Sequence, residues 1–392
     1  METKKVAIVT THPIQYYAPV FKILAKKVDL KVFYTWGEES IKKKFDPGFG
    51  KVVDWDLPLL DGYNYEFLEN SSTDPGSHHF KGIINPSIIE RINEFCPDVI
   101  LVYGWSYSSH FKVLRHFKGK RQIWFRGDSN LLDLERNWKS IVRKLLLRYI
   151  YSHVDRAFYV GSCNKDYFVE YGLKPTQLAF APHSIENSRF EEDHKKDVDE
   201  LKNSLGIEDT EIVILFAGKL EPKKNPELLM DAFLNLDLKN VHLLFVGNGV
   251  LESKLKEKQS NNLENSNALK ISFLDFQNQS RMPVIYQCCD LFCLPSKGPG
   301  ETWGLAVNEA MASGKSILVS NKVGCAKDLV KTENGLIFES DNLLDLSIKL
   351  RELCNSKERL KIMGEKSRTI IQSWSFSKQV EAFELGLYDD TR

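Results

Sequence analysis

The stretch Leu294-Pro295-Ser296-Lys297-Gly298-Pro299-Gly300-Glu301-Thr302-Trp303-Gly304-Leu305-Ala306-Val307-Asn308-Glu309-Ala310-Met311-Ala312-Ser313-Gly314 reads as a strand, a glycine-rich loop and a helix. The strand ends at Pro295-Ser296. The helix is expected to begin near Thr302 or Trp303 and to stop at Gly314, a residue suited to the left-handed conformation that closes helices. A helix start presents free N–H groups and a partial positive charge, which attract phosphate. Glu301 stands just before that start, where a carboxylate can accept hydrogen bonds from sugar hydroxyls. Glu309 follows two turns on, roughly 12 Å away at ~1.5 Å per residue. A sugar and a ribose separated by a diphosphate span a comparable distance, so one carboxylate can hold each end of a nucleotide diphosphate sugar. The competing reading makes Glu301 a helix cap and leaves Glu309 facing solvent.

Outward from this stretch, apolar strands alternate with helical segments. One series runs through Ile212–Ala217, Pro226–Leu236, His242–Val246, Leu251–Lys258, Ile271–Leu274, Leu291–Pro295, Ile317–Ser320 and Leu336–Phe338. An earlier series runs through Val6–Thr10, Ala18–Lys27, Leu30–Tyr34, Pro86–Phe95, Asp98–Val102, Ile123–Arg126 and Arg156–Val160. Such alternation implies βαβ units and parallel sheets. The charged run Glu191–Asp197 reads as a linker leading into a surface helix, and Ser375–Tyr388 as a closing helix. The expected architecture is α/β, with two Rossmann-like domains facing a central cleft. Ligand then binds at the carboxyl ends of the strands.

Composition sets the outer limits. At 392 residues the chain exceeds one ordinary core and fits two domains. Lys+Arg and Asp+Glu both number 53, so no global charge draws it toward nucleic acid, and no nucleic-acid partner is expected. The opening Met1-Glu2-Thr3-Lys4-Lys5 leads straight into a strand without a signal-peptide pattern, and no apolar run approaches the ~20 residues of a spanning helix. Seven cysteines are scattered without zinc spacing, and most of them sit in apolar segments and read as reduced core residues of a cytosolic protein.

Upstream lies Phe216-Ala217-Gly218-Lys219-Leu220-Glu221-Pro222-Lys223-Lys224-Asn225-Pro226. Two cations after a strand end can neutralise a diphosphate and stabilise it as a leaving group. Together with Glu301-x7-Glu309, Trp303-Gly304 and Glu309-Ala310-Met311-Ala312-x-Gly314, this segment resembles the large retaining glycosyltransferase family 4, which has the GT-B fold. That family has Gly-Arg-Leu followed by a proline and Glu-Lys-Gly here. Lys219 replaces the arginine, keeping the charge but losing the bidentate geometry. Lys224 takes the lysine position. Asn225 replaces glycine, a tolerable change because asparagine also adopts left-handed conformations. Tyr286-Gln287-Cys288-Cys289-Asp290 occupies the family's Tyr-x-x-Ala-Asp place. Val323-Gly324-Cys325-Ala326-Lys327-Asp328 matches its Gly-Gly-x-x-Glu loop imperfectly, and Pro182-His183-Ser184-Ile185-Glu186 stands where it has Pro-Asn-Gly-Val-Asp. The resemblance covers about Arg156 to Trp374.

The N-terminal half matches less well. The family's first-loop Gly-Gly pair is replaced by Thr10-Thr11-His12-Pro13-Ile14-Gln15-Tyr16-Tyr17. His12, Gln15 and Tyr16 follow the first strand and are candidates for binding acceptor hydroxyls; equally, His12-Pro13 shapes the turn. Trp105 or Tyr103 is a candidate for stacking on a sugar, where the family's strand carries histidines. Arg126 and Asp128 are candidates for acceptor binding, or a structural pair. The segment Trp138–His153 combines Lys139, Arg143, Lys144 and Arg148 with apolar residues. It fits a packed helix with a basic solvated face, and alternatively a peripheral contact with an anionic membrane. Asp54-Trp55-Asp56 matches the Asp-x-Asp metal signature of a different glycosyltransferase fold, but its surroundings are wrong, and no metal is expected.

The resemblance implies an acceptor-binding domain over residues 1–185, a nucleotide-sugar-binding domain over 186–372, and a final helix over 373–392 crossing back to the first domain. It implies a retaining, metal-independent hexosyl transfer from a nucleotide diphosphate sugar, UDP- or GDP-linked, to a saccharide or lipid-linked acceptor, in cell-surface polysaccharide or glycan biosynthesis. The setting is cytoplasmic, extending to the inner face of the membrane. Glu301, Lys219 and Lys224 take the catalytic positions. Gly218, Thr302, Trp303, Gly304, Leu305 and Glu309 join Glu301 in holding the donor. Two alternatives stay open: a nucleotide-sugar hydrolase or epimerase of the same fold, and a non-catalytic scaffold in a polysaccharide assembly complex, which the altered first loop motivates.

Overall fold

Successive residues of the first strand point to opposite faces of a sheet, and here both faces are covered. Ala7 and Val9 join one apolar cluster with Ile92, Val113, Leu147 and Phe168, while Val6 and Ile8 join another with Phe21, Trp124, Phe158 and Phe383. A strand buried on both faces belongs to a parallel sheet flanked by helices. The computed structural model of the chain describes residues 3–41, 44–46, 51–53, 56–135, 137–236, 240–263 and 270–388.

In chain order the strands are β1 (Lys5–Thr10), β2 (Asp29–Tyr34), β3 (Lys44–Asp46), β4 (Lys51–Val53), β5 (Asn64–Phe67), β6 (Val99–Tyr103), β7 (Gln122–Arg126), β8 (Arg156–Tyr159), β9 (Leu178–Phe180), β10 (Ile212–Ala217), β11 (Val241–Val246), β12 (Lys270–Leu274), β13 (Leu291–Leu294), β14 (Ser316–Ser320) and β15 (Gly335–Phe338). The chain divides into two compact units. The first comprises Met1–Lys42, Leu57–Ser184 and Ser375–Arg392. Its seven-stranded sheet has the order β5-β2-β1-β6-β7-β8-β9, every neighbouring pair parallel. The second comprises Lys43–Asp56 and Ile185–Trp374, with a six-stranded parallel sheet in the order β12-β11-β10-β13-β14-β15 and the antiparallel hairpin β3-β4. Both sheets are Rossmann-like, as the alternating pattern implies. In each, the order reverses beside a first strand: β1 lies between β2 and β6, and β10 between β11 and β13.

Differences from the sequence reading are confined to short or polar elements. β5 is half exposed and β9 has three residues, so neither shows a readable alternation. The charged run after Glu191 leads into a helix, Lys195–Ser204, that buries only Val198 and Leu201. The closing helix, Phe376–Tyr388, packs within the first unit, with the Phe383 ring 4.7 Å from Phe158.

At the carboxyl end of the first sheet, buried His110 joins two strand ends. Its Nδ1 lies 3.0 Å from the carbonyl oxygens of both Tyr103 and Gly104, and its Nε2 2.8 Å from Thr35 Oγ1. Carbonyls only accept, so Nδ1 bears the proton and Nε2 accepts from the threonine. Burial pushes the His110 pKa down to about 4, so the ring stays neutral in the fold. In the unfolded chain it titrates near ~6.5. Below that pH the unfolded state takes up a proton that the folded state refuses, so stability is lost as pH falls from about 6.5 toward 4. We predict a loss on the order of 3 kcal/mol from this group across that window. Denaturant unfolding at a series of pH values checks it: the slope should be shallower in His110→Asn than in the wild type, and identical slopes would contradict the assignment.

Candidate functional site

The order reversal in the second sheet frees two loops to diverge from adjacent strand ends, those after β10 and β13. After β10 the backbone turns at Gly218 with φ 153°, where an added Cβ would meet nothing within 4 Å. Half-buried Lys219 follows. Pro222–Lys224 makes a single 3-10 turn, and Asn225 closes it in the left-handed region at φ 54°. The Asn225 side chain donates to Asp341 Oδ1 at 2.9 Å, which holds the turn. This is the conformation expected when asparagine stands in for glycine.

That turn delivers Lys224 to Glu301. The Lys224 ammonium donates to Glu301 Oε2, and Ser296 Oγ donates to the same oxygen at 2.7 Å. The two ionic side chains are 22% and 10% exposed. At that depth the contact is a charge-assisted hydrogen bond in a partly desolvated setting rather than a solvent-screened surface pair.

The helix that follows Glu301 begins at Leu305, two or three residues later than the sequence reading places it. Three contacts keep residues 301–303 out of the helix. The Glu301 and Trp303 carbonyls accept from the Gly324 and Cys325 amides at 3.1 and 2.9 Å. Trp303 Nε1 donates to Asn308 Oδ1 at 2.9 Å, and its ring lies 5.1 Å from Trp374. Gly304 then turns through φ 97°, with Val323 Cγ1 only 2.9 Å from where a Cβ would stand. A left-handed turn against such a neighbour requires glycine. The Leu305–Ala312 helix closes as expected at Gly314: Gly314 N–H donates to the Met311 carbonyl at 2.9 Å and Lys315 N–H to Ala310 at 3.0 Å, the paired bonds of a Schellman end.

Within that helix, Leu305 and Ala306 have no carbonyl a turn behind them to bond, so their N–H groups supply the positive end. Glu309 does not face solvent. It is 3% exposed, and its Oε2 accepts from the Tyr286 hydroxyl at 2.9 Å. Tyr286 sits on Met282–Cys288 and is itself buried. Asp290, at the end of the same motif, accepts from the Val213 amide at 2.9 Å and so registers β13 against β10.

The first unit has its own cluster at the carboxyl end of its sheet. Arg126 is buried and donates from Nη1 to the Ala181 carbonyl at 2.8 Å and from Nη2 to Pro182 at 3.0 Å. Tyr17 lies 4.8 Å from the Tyr103 ring and stacks on His183 at 6.1 Å. Burial, and secondly the Arg126 charge, hold the His183 pKa down to about 3, so its ring is neutral. Burial pushes the Tyr103 phenol up to about 12 and lowers Arg126. Asp128 is half-buried and acts electrostatically on both Arg126 and Tyr17. His12 packs edge-on against Trp36 at 5.3 Å and pairs through Nδ1 with Thr11 Oγ1 at 2.9 Å. Gln15 and Tyr16 are half-buried in the same loop, and Trp105 packs against the core.

Sequence reasoning missed Ser296, Tyr286, Tyr17 and His183 as site residues. Ser296 and Tyr286 stand inside quoted motifs, and a polar residue at the end of an apolar strand is the signal that finds the first. Among the described residues no cluster of three or more His, Cys, Asp or Glu could hold a metal. Asp54 and Trp55 lie outside the described residues. Asp56 accepts from the Ser280 amide at 3.2 Å.

Residues 197–370 match the model for glycosyl transferases group 1. An uncharacterized glycosyltransferase of Methanocaldococcus jannaschii is 28% identical over 166 residues, 42% of this chain and 45% of that protein. The D-inositol 3-phosphate glycosyltransferase of Rhodococcus opacus is 24% identical over 212 residues, 53% and 46% of the two chains. The chain thus spans about half the length of these curated relatives. Among solved structures, Anabaena HepE in complex with UDP and glucose superposes with a TM-score of 0.71 at 16% identity, covering 98% of this chain and 99% of that one. A Rickettsia africae glycosyltransferase gives 0.71 at 13% identity, covering 100% and 99%. At such identities the likeness is one of fold, and that fold is GT-B. Over residues 197–370, the chain is similar to the glycosyl transferases group 1.

Proposed function

We propose that this chain transfers a hexose-type sugar, with retention of configuration and without a protein-bound metal, from a nucleotide diphosphate sugar to a hydroxyl of a saccharide or lipid-linked acceptor. The second unit takes the donor and the first unit the acceptor, at the cytoplasmic face of the membrane. The observation that carries this reading is the meeting of Lys224 and Glu301, 77 residues apart, at the order reversal of the second sheet. The HepE complexes with UDP, glucose and UDP-glucose support a uridine donor, and the GDP-mannose-dependent mannosyltransferase of Corynebacterium glutamicum, 27% identical, supports a guanosine one.

The chemistry follows from the groups present. The donor diphosphate lies against the start of the Leu305–Ala312 helix. Lys224, with Lys219 alongside, stabilises the charge that grows on it as the sugar–phosphate bond breaks. Glu301 is held by Lys224 and Ser296 and accepts from hydroxyls of the donor sugar. The diphosphate, leaving on one face of the sugar, takes the acceptor proton on that same face. Glu309, held through one oxygen by the Tyr286 hydroxyl, binds the ribose. Buried polar groups that match a ligand hydroxyl discriminate strongly against a ligand that lacks it.

Glu301→Ala is expected to lower turnover by at least about a hundredfold, the scale of losing one preorganised polar contact at a reacting centre, while nucleotide still binds in calorimetry. Unchanged turnover would refute the assignment. Glu309→Ala should raise the nucleotide dissociation constant about ten- to a hundredfold, as expected when a charged hydrogen-bond acceptor is lost; equal constants would remove Glu309 from the ribose site. Tyr286→Phe deletes one donor to that carboxylate and should weaken nucleotide binding about five- to tenfold with turnover at saturation nearly kept. A fall in turnover with unaltered affinity would give the tyrosine a different role. Product analysis in the absence of acceptor adds a control, because rapid release of free sugar would identify a hydrolase.

A further inference from the structure

The helix Trp138–Tyr151 has two apolar faces, and the protein covers only one. Leu147, Ile150 and Tyr151 are buried. Trp138, Ile141, Val142, Leu145, Leu146 and Tyr149 are between 49% and 71% exposed. At about 100° per residue, the exposed set points roughly opposite to the buried set. Cations border this outer stripe along both edges, Lys139 and Arg143 on one side and Lys144 and Arg148 on the other. The helix contains no acidic residue. Lys144 pairs with Glu170 at 2.6 Å. The aromatic surface continues beyond the helix: the Tyr149 ring lies 6.2 Å from Phe111, and Phe111 lies 6.4 Å from Phe80, itself 44% exposed.

Soluble monomers rarely leave so continuous an apolar stripe open to water. The helix is anchored on its other face by Leu147, Ile150 and Tyr151, and its first turn is capped. Asn137 Oδ1 accepts from the Ser140 amide at 3.1 Å and Ser140 Oγ accepts from the Asn137 amide at 3.3 Å, a reciprocal cap on its first turn. It is therefore a preformed surface.

We propose that this outer face docks the protein on an anionic lipid bilayer, with the helix lying in the plane of the interface. Apolar side chains enter the headgroup boundary and the flanking cations meet lipid phosphates. Trp138 and Tyr149, near the two ends, suit the polar–apolar boundary where such rings collect. Charge separates this occupant from a second copy of the chain. A two-fold contact through the same stripe would set these cations against their own equivalents, with no acidic group on the helix to answer them. The docking is peripheral, since among the described residues no helix is long and apolar enough to cross a membrane. The proposal deepens the lipid-linked reading of the acceptor. Vesicle binding and donor binding are measured separately, so either can fail alone.

The test is flotation of the full chain with vesicles of phosphatidylcholine, with and without phosphatidylglycerol. The wild type should float with the anionic vesicles and not with phosphatidylcholine alone. Raising salt should weaken binding, because surface charges are screened over a shorter range. Leu145→Asp with Leu146→Asp should abolish flotation. Lys139→Ala with Arg143→Ala should weaken it by roughly fivefold per cation removed. A thermal shift by nucleotide sugar equal to that of the wild type shows that these variants remain folded. Failure of the wild type to float, equal binding to neutral vesicles, or undiminished flotation of the Leu145→Asp, Leu146→Asp variant would overturn the proposal. So would a dimer in sedimentation equilibrium that the same two substitutions dissociate.

Discussion

A parallel sheet whose strand order reverses cannot avoid leaving two loops to diverge from neighbouring strand ends. In the second unit those loops hold Lys224 and Glu301, and the ion pair between them is the contact around which the site is arranged. Bringing a lysine and a glutamate to partial burial costs desolvation that their attraction only partly returns. The surrounding chain holds them there. Asn225 adopts a left-handed turn to aim the lysine, Ser296 shares the carboxylate oxygen, and the Gly324 and Cys325 amides strap residues 301–303 away from the helix. Gly304 then starts the helix where no side chain would fit. The result is a cation, a carboxylate and a helix N-terminus fixed in mutual register, a preorganised polar group rather than a source of stability.

The first unit solves a related problem with different groups. Its buried Arg126 gives both terminal nitrogens to carbonyls of the segment that follows β9. Burial keeps His183 neutral beside Tyr17, and the guanidinium adds to this by raising the cost of a second positive charge nearby. Arg126 thus shapes the end of the first sheet whatever that surface binds.

Legibility in the sequence followed burial and repetition. Ile212–Ala217 could be bounded to the residue because six apolar positions are buried on both faces. Gly314 announced its helix end because only a left-handed residue closes a helix that way. The start of the same helix could not be placed, since it depends on amides supplied from residues 324 and 325, distant in sequence. Lys224 and Glu301 were legible as a pair of charges in a familiar pattern, but their contact is a product of the sheet order. Tyr286 stood in a recognised motif without a role; its hydroxyl matters because Glu309 is buried against it, which no local pattern reveals. In the first unit the departures from the family pattern, and the short β9, hid Tyr17 and His183 for the same reason: their neighbours come from separate strand ends.

The central claim is that phosphate and sugar bind where the loops after β10 and β13 meet. Hydrogen–deuterium exchange, with and without the nucleotide sugar that most raises the melting temperature in a screen of UDP-, GDP-, ADP- and dTDP-sugars, tests it most directly. The account predicts new protection concentrated at residues 218–225 and at the amides of 304–307, the first turn of the Leu305–Ala312 helix. Protection confined to other segments, or no stabilising nucleotide sugar in the screen, would contradict it.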